Sequence, residues 1–179
     1  MIRKIILRAL VVLAILVAGV LILASMRPDT FRVARSTSIA APPEKIFAIL
    51  NDFRTAPSWS PYETRDPAMK RSYSGPESGL GAVYEFEGNR AVGAGRLEIT
   101  QSTPNEKVTM TLDMVKPFDA HNLVEYTLEP QGDSTTVTWA MSGRSPFLAK
   151  VVSLFIDCDE MVGKDFEAGL ANLKALAEK

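Results

Sequence analysis

A single histidine, His121, and a single cysteine, Cys158, bound the chemistry open to this chain of 179 residues. One cysteine excludes an internal disulfide framework, and one of each excludes a multi-histidine cage or a cysteine-rich zinc or iron–sulfur site. No metal is therefore expected. His121 follows the turn Pro117–Ala120 at the start of a strand, where an imidazole serves as a general base only if a pocket encloses it; a lone strand-end histidine reads first as a surface group. Cys158 lies in Asp157-Cys158-Asp159-Glu160, and neighbouring acids are the wrong sign to stabilise a nucleophilic thiolate. Those three acids attract a cation by charge, but contiguous helical positions point apart, so the run reads as a solvated helix face. Arg35 and Arg96 each offer a forked donor for a ligand carboxylate or phosphate. Strand phase puts Arg35 on an apolar face and Arg96 on a polar one, which makes Arg35 the candidate. There is no G-x-x-x-x-G-K-[ST], G-x-S-x-G or H-E-x-x-H pattern, and Gly93-x-Gly95 reads as a strand turn. No cofactor and no catalytic residue are assigned.

The elements that would position a ligand are clearer than any catalytic group. Phe31 to Ile39 alternates as a strand, broken on its apolar side only by Arg35. Ala41-Pro42-Pro43-Glu44 starts a helix whose Ile46, Ile49, Leu50 and Phe53 share one face. Pro57, Pro61 and Pro67 then hold a loop around Trp59 and Tyr62. From about 69 to 143 six alternating segments follow, each with one apolar and one polar face, so the sheet is wet on one side. Beyond Ser145-Pro146, read as an N-cap and first helical residue, Phe147, Val151, Phe155, Val162, Phe166, Leu170, Leu173 and Leu176 recur at helical spacing. Gly163 and Gly169 weaken that helix, with a break anticipated near 157–163. The expected fold is α+β: a curved antiparallel sheet wrapped around a long C-terminal helix. A cavity between them would be lined by Tyr84, Phe86, Leu97, Met110, Met114, Tyr126, Trp139 and Met141 from the strands. Phe155 or Met161 would come from the helix, Trp59 and Tyr62 from the loop, and Arg35 would be a polar contact.

The first thirty residues form a separate object. Ala9 to Met26 is an uncharged apolar run of 18 residues, roughly 27 Å as a helix and close to the ~30 Å bilayer core. A cleaved signal peptide is the competing reading, but the run exceeds the usual apolar length and Met26 stands where a small residue is wanted. Residues 1–30 are thus expected to be an uncleaved transmembrane anchor and 31–179 a globular domain. Arg3, Lys4 and Arg8 slightly outweigh Arg27, Arg32 and Arg35 less Asp29, which favours a cytoplasmic N-terminus and a domain outside the cytoplasm. Of 20 basic and 21 acidic residues, residues 31–179 hold 16 and 20, a mildly acidic body that does not look built for nucleic acid.

The sequence resembles the START/birch-allergen-like helix-grip (SRPBCC) superfamily, in its polyketide cyclase/dehydrase-type bacterial branch. The residues that carry the likeness are Ile39-x-Ala41-Pro42, Trp59-Ser60-Pro61-Tyr62, and Tyr73-Ser74-Gly75-Pro76 leading to Gly79-x-Gly81-Ala82-x-Tyr84. Gly88-Asn89, Gly93-x-Gly95-x-Leu97-x-Ile99, Lys116-Pro117-Phe118, Val137-Thr138-Trp139 and Asp165-Phe166-x-x-Gly169-Leu170-x-x-Leu173-Lys174 complete it. The resemblance implies a cavity for lipids, steroids or polyketides, with cyclisation or dehydration in some members, and it carries over no catalytic residue. Three readings follow. The leading one is a membrane-anchored, non-catalytic module that binds or transfers a hydrophobic small molecule or lipid, in a bacterial inner membrane. The others are a cyclase/dehydratase-type enzyme and an envelope interaction protein whose cavity its own side chains fill.

Overall fold

The computed structural model describes residues 2–179. It begins with α1 (Ile2–Ser25) and continues through β1 (Thr30–Ile39), α2 (Pro43–Leu50) and a 3-10 turn (Phe53–Ser58). Strands β2 (Lys70–Ser74), β3 (Val83–Glu87), β4 (Ala94–Thr103), β5 (Lys107–Lys116), β6 (Ala120–Gln131) and β7 (Ser134–Arg144) follow, then α3 (Phe147–Val152) and α4 (Cys158–Ala177). Within α1, Ile6–Ser25 is long and apolar enough to cross a membrane, and the rest of the chain covers it only near its C-terminal end, where Ala24 is buried.

The seven strands form one antiparallel sheet in the order β1-β7-β6-β5-β4-β3-β2. Hairpin neighbours pair in sequence from β2 to β7, and only β1 is placed by a long-range pairing, running from Thr30 opposite Arg144 to Ile39 opposite Thr135. Strict alternation of pairing directions puts the start of β1, the end of β7, the start of β6 and the end of β5 at one end of the sheet. The starts of β4 and β2 and the end of β3 lie at that same end. It is also the end from which α1 leaves, and it is called the proximal end below. At the β3–β4 turn there, Gly93 has φ +80°, and a Cβ on it would overlap the Lys116 carbonyl, so only glycine lets the turn close over β5.

The period-2 pattern sends Tyr84, Ile99, Val108, Met110, Val124, Tyr126, Val137 and Trp139 to the concave face, where all are buried. Helix α4 crosses that face against β1 and β7, burying Phe166, Leu170, Leu173 and Ala177 along one stripe. The fold is the expected α+β helix-grip arrangement.

The C-terminal helix differs from its expected form. It is two helices, with residues 153–157 between them, so the break falls just before the anticipated position. Asp157 rather than a glycine sets it: its side chain accepts the Glu160 backbone N–H at 3.0 Å and starts a new helix there. Ser145 is not an N-cap; its N–H donates to the Asp29 carbonyl at 2.7 Å, and Pro146 occupies the cap position without a side-chain bond.

Candidate ligand cavity

A cavity of about 320 Å³ lies between the concave face, the 50–69 segment and α4. Toward the proximal end its strand lining is Phe86 late in β3, Leu97 early in β4, Met114 late in β5, Asn122 early in β6 and Met141 late in β7. Tyr84, Met110, Tyr126 and Trp139 continue the wall inward, and Trp59 and Tyr62 close it from the loop. The exposed lining residues Arg65 and Ala91 mark where it reaches the surface. That seam is stitched by the Asn89 N–H donating to Asp66 Oδ2 at 2.7 Å.

An aromatic cluster sets the inner wall. Trp139 stacks on Phe166 of α4 with ring centroids 4.2 Å apart and planes 10° from parallel. Trp59 meets Trp139 edge-on at 5.7 Å and 72°, and Tyr126 at 6.0 Å and 84°. Both indole N–H groups are buried with no hydrogen-bond acceptor among the described residues.

A buried charged group in this largely apolar chamber is one that sequence reading missed. Glu63, only 7% exposed, lines the cavity. Its Oε1 accepts the Tyr84 hydroxyl at 2.5 Å and its Oε2 accepts Arg71 Nε at 2.7 Å. Arg71 also donates to the Glu63 and Met69 carbonyls at 3.3 and 3.0 Å. The carboxylate is therefore paired and hydrogen-bonded, as a buried charge must be. Burial, then the bond to Glu63, holds the Tyr84 phenol protonated far above the usual tyrosine range. Burial, then Asp165, does the same for Tyr62, whose ring also carries the Arg65 guanidinium 4.9 Å from its centroid. Tyr126 is raised by burial and by Tyr62, with no hydrogen bond contributing. The one sequence signal for Glu63 is its place directly after Tyr62 in the proline-bounded loop. Asn122, also missed, begins a strand whose alternation gave it no apolar mark.

Two expected cavity residues lie elsewhere. Phe155 falls in the break between α3 and α4 and is 73% exposed, because the interruption rotates it off the helical stripe. Met161, on the first turn of α4, is likewise exposed. Arg35 does face inward from β1, but α4 takes it: Nε donates to Glu167 at 2.9 Å and Nη2 to Asp159 at 3.0 Å. Its guanidinium lies over Gly163, which leaves it no reach into the chamber. Of the remaining polar candidates, His121 is on the solvent face with Nδ1 2.7 Å from Asp113 Oδ1. Cys158 is exposed at the start of α4. No group of three potential metal ligands occurs among the described residues.

Residues 30–178 match the family described as polyketide cyclase/dehydrase and lipid transport. The chain belongs to that family. No curated protein matches the chain. Among solved structures it is similar to the major latex-like protein 151 of Panax ginseng, at 13% identity and a TM-score of 0.63 over 85% of this chain and 100% of that one. A protein of Chromobacterium violaceum gives 17%, 0.59, 86% and 99% in the same terms. The Aha1 dimer of Colwellia psychrerythraea gives 19%, 0.59, 83% and 96%. At such identities the likeness speaks for the SRPBCC fold alone.

Proposed function

We propose that this family member is a membrane-anchored module that binds or transfers a hydrophobic small molecule or lipid, with residues 1–30 as the anchor and 31–179 as the binding unit. The observation that carries the reading is the chamber itself: largely apolar and aromatic, of ligand size, with one paired carboxylate–phenol cluster at Glu63 and Tyr84. Small-molecule sites have that composition, in which apolar burial supplies affinity and a few polar groups set orientation. The family description, which includes lipid transport, supports the same ligand class. The apolar Ile6–Ser25 segment supports anchoring, and the charges flanking it favour a cytoplasmic N-terminus with the domain outside a bacterial inner membrane.

The test is native mass spectrometry of the full chain in mild detergent, with solvent extraction of what co-purifies. A stoichiometric hydrophobic adduct that Met114→Glu abolishes is the expected result. A clean apo mass that gains nothing from fatty acids, sterols or aromatic polyketides overturns the reading.

A further inference from the structure

Outside α1, most of the exposed large apolar side chains gather at one end of the domain, with Tyr73 and Leu80 the exceptions at the opposite end. Phe147 and Leu148 open α3, Phe155 and Ile156 follow it, and Val115 and Phe118 sit at the β5–β6 connection. All belong to the proximal end of the sheet or to the segment that leaves it. Phe118 is 76% and Leu148 69% exposed, an unusual clustering for a surface with nothing to cover it.

The position of α3 says what covers it. Helix α3 packs against α1, and Ala24, one residue from the end of α1, is fully buried while Val20 is half-buried. Those positions lie within about 8 Å of the helix end at 1.5 Å per residue. The contact is tied down by Lys150, a buried lysine of α3 that donates to Asp29 in the α1–β1 connection. The Ser145 N–H bonds the Asp29 carbonyl beside it. If α1 spans the bilayer, α3 is held at the depth where interfacial helices lie, roughly 5–10 Å into the headgroup and acyl boundary. Its outward residues are then of the right kind. Exposed Arg27 and Arg144 at the same end can meet headgroup phosphates, and Lys116 beside them pairs with Glu87. The acids at the start of α4 are already occupied: Asp157 caps the helix, Asp159 pairs with Arg35, and Glu160 pairs with Lys164.

We infer that the domain seats its proximal end in the bilayer interface, with α3, the 153–156 segment and the β5–β6 connection inserted among the lipids. This rests on the anchored reading proposed above, and it adds that the cavity, which reaches the surface beside Ala91 in the proximal β3–β4 turn, faces the membrane rather than hanging from it on a tether.

The experiment uses the full chain carrying Cys158→Ser in vesicles of phosphatidylcholine and phosphatidylglycerol. Single cysteines replace Leu148, Phe155, Phe118, Leu80 or Leu16 and carry an environment-sensitive nitrobenzoxadiazole label, with doxyl-labelled lipid as quencher. Labels at 148, 155 and 118 should emit to the blue and be quenched, whereas position 80, in the β2–β3 connection at the far end, should behave as in water. Leu148→Glu combined with Phe155→Glu should remove quenching at 118 in the otherwise folded chain. Quenching at 16 with aqueous behaviour at 148, 155 and 118 overturns docking and leaves the anchor standing. No quenching at 16 removes the anchor and the inference together. Blue emission without lipid quenching at 148 and 155 assigns the face to a second copy of the chain, and overturns the inference.

Discussion

Two glycines of α4 face different neighbours, and replacing each with alanine should move stability in opposite directions. In a helix interior either exchange gains about 0.8–1 kcal/mol of propensity. At Gly169 the new Cβ would lie 2.5 Å from Trp139 Cζ3 and 3.0 Å from Pro61 Cδ. Trp139 is buried between Phe166 on one side and Trp59 and Tyr126 on the other. It can give way only toward the cavity that it lines. Overpacking of that kind costs about 1–3 kcal/mol, so the net change is a loss centred near 1 kcal/mol. For a chain of this size that is a fall in Tm of about 2–4 °C. At Gly163 the Cβ meets the guanidinium of Arg35, the free end of a flexible side chain. Its partners Asp159 and Glu167 are largely exposed, so the displaced ion pairs weigh little and the propensity gain survives. Thermal unfolding of the full chain in detergent, followed by circular dichroism, should place Gly169→Ala below the parent and Gly163→Ala at or above it. A Tm for Gly169→Ala equal to or above that of Gly163→Ala would refute the account of Trp139 as a wall that yields only at a cost in stability.

The same structure fixes three further outcomes. Tyr84→Phe leaves Glu63 Oε1 without its donor, which should cost about 1–3 kcal/mol and lower the urea midpoint at neutral pH. Because burial and then the Glu63 bond raise the Tyr84 phenol in the folded state, the unfolded chain ionises first. The stabilisation is full below about pH 10, the ordinary phenol value, and is lost as pH rises above it; Tyr84→Phe should flatten that alkaline loss in denaturation series at rising pH. Tyr126→Phe keeps the ring and removes a buried hydroxyl that no hydrogen bond perturbs; a ligand that accepts from this hydroxyl should bind up to about tenfold more weakly, the equivalent of about 1.4 kcal/mol, by isothermal titration. Met114→Trp, which adds bulk at the cavity wall beside Gly93 and Gly95, should reduce uptake of a hydrophobic probe such as anilinonaphthalene sulfonate while the far-ultraviolet spectrum stays unchanged.

Elements with a long, regular pattern are legible in the sequence alone. The period-2 runs at 82–87, 108–114 and 136–141 put Tyr84, Met110, Met114, Trp139 and Met141 on one face, and those residues line the cavity. The stripe Phe166, Leu170, Leu173 likewise marks the covering side of α4. Residues placed by tertiary closure are not legible. Helical periodicity carries Phe155 inward because nothing in its own turn announces a break; the stop comes from Asp157 capping the next helix. Arg35 reads as a ligand contact because strand phase gives direction but not distance, and Glu167 and Asp159 lie more than a hundred residues away in sequence. Glu63 sits in a loop with no period, so its partners Tyr84 and Arg71 emerge only once β2 and β3 close over it.

That cluster also bears on whether binding or catalysis fits the chamber. Cyclisation or dehydration needs a base with a free lone pair and an acid able to release its proton. Here Glu63 accepts from Tyr84 with one oxygen and from Arg71 with the other, and burial with that same bond keeps the Tyr84 phenol from ionising. Each Glu63 oxygen accepts one hydrogen bond and keeps a second lone pair, while Arg71 balances its charge, so a ligand entering the chamber meets a charge-paired, oriented acceptor. A hydroxyl, carbonyl or amide on the ligand can join such a network without proton transfer, and an apolar tail can fill the space toward Met114 and Phe86. Orientation of one polar end in an apolar chamber is consistent with the binding role proposed above, and Arg71 is the residue that balances the Glu63 charge. Arg71→Met should therefore free one Glu63 oxygen and convert a neutral contact into an unpaired buried carboxylate. The expected result is reduced stability, together with a new preference for cationic amphiphiles over fatty acids in competition binding. An unchanged ligand ranking in the folded variant would place the polar end of the ligand away from Glu63.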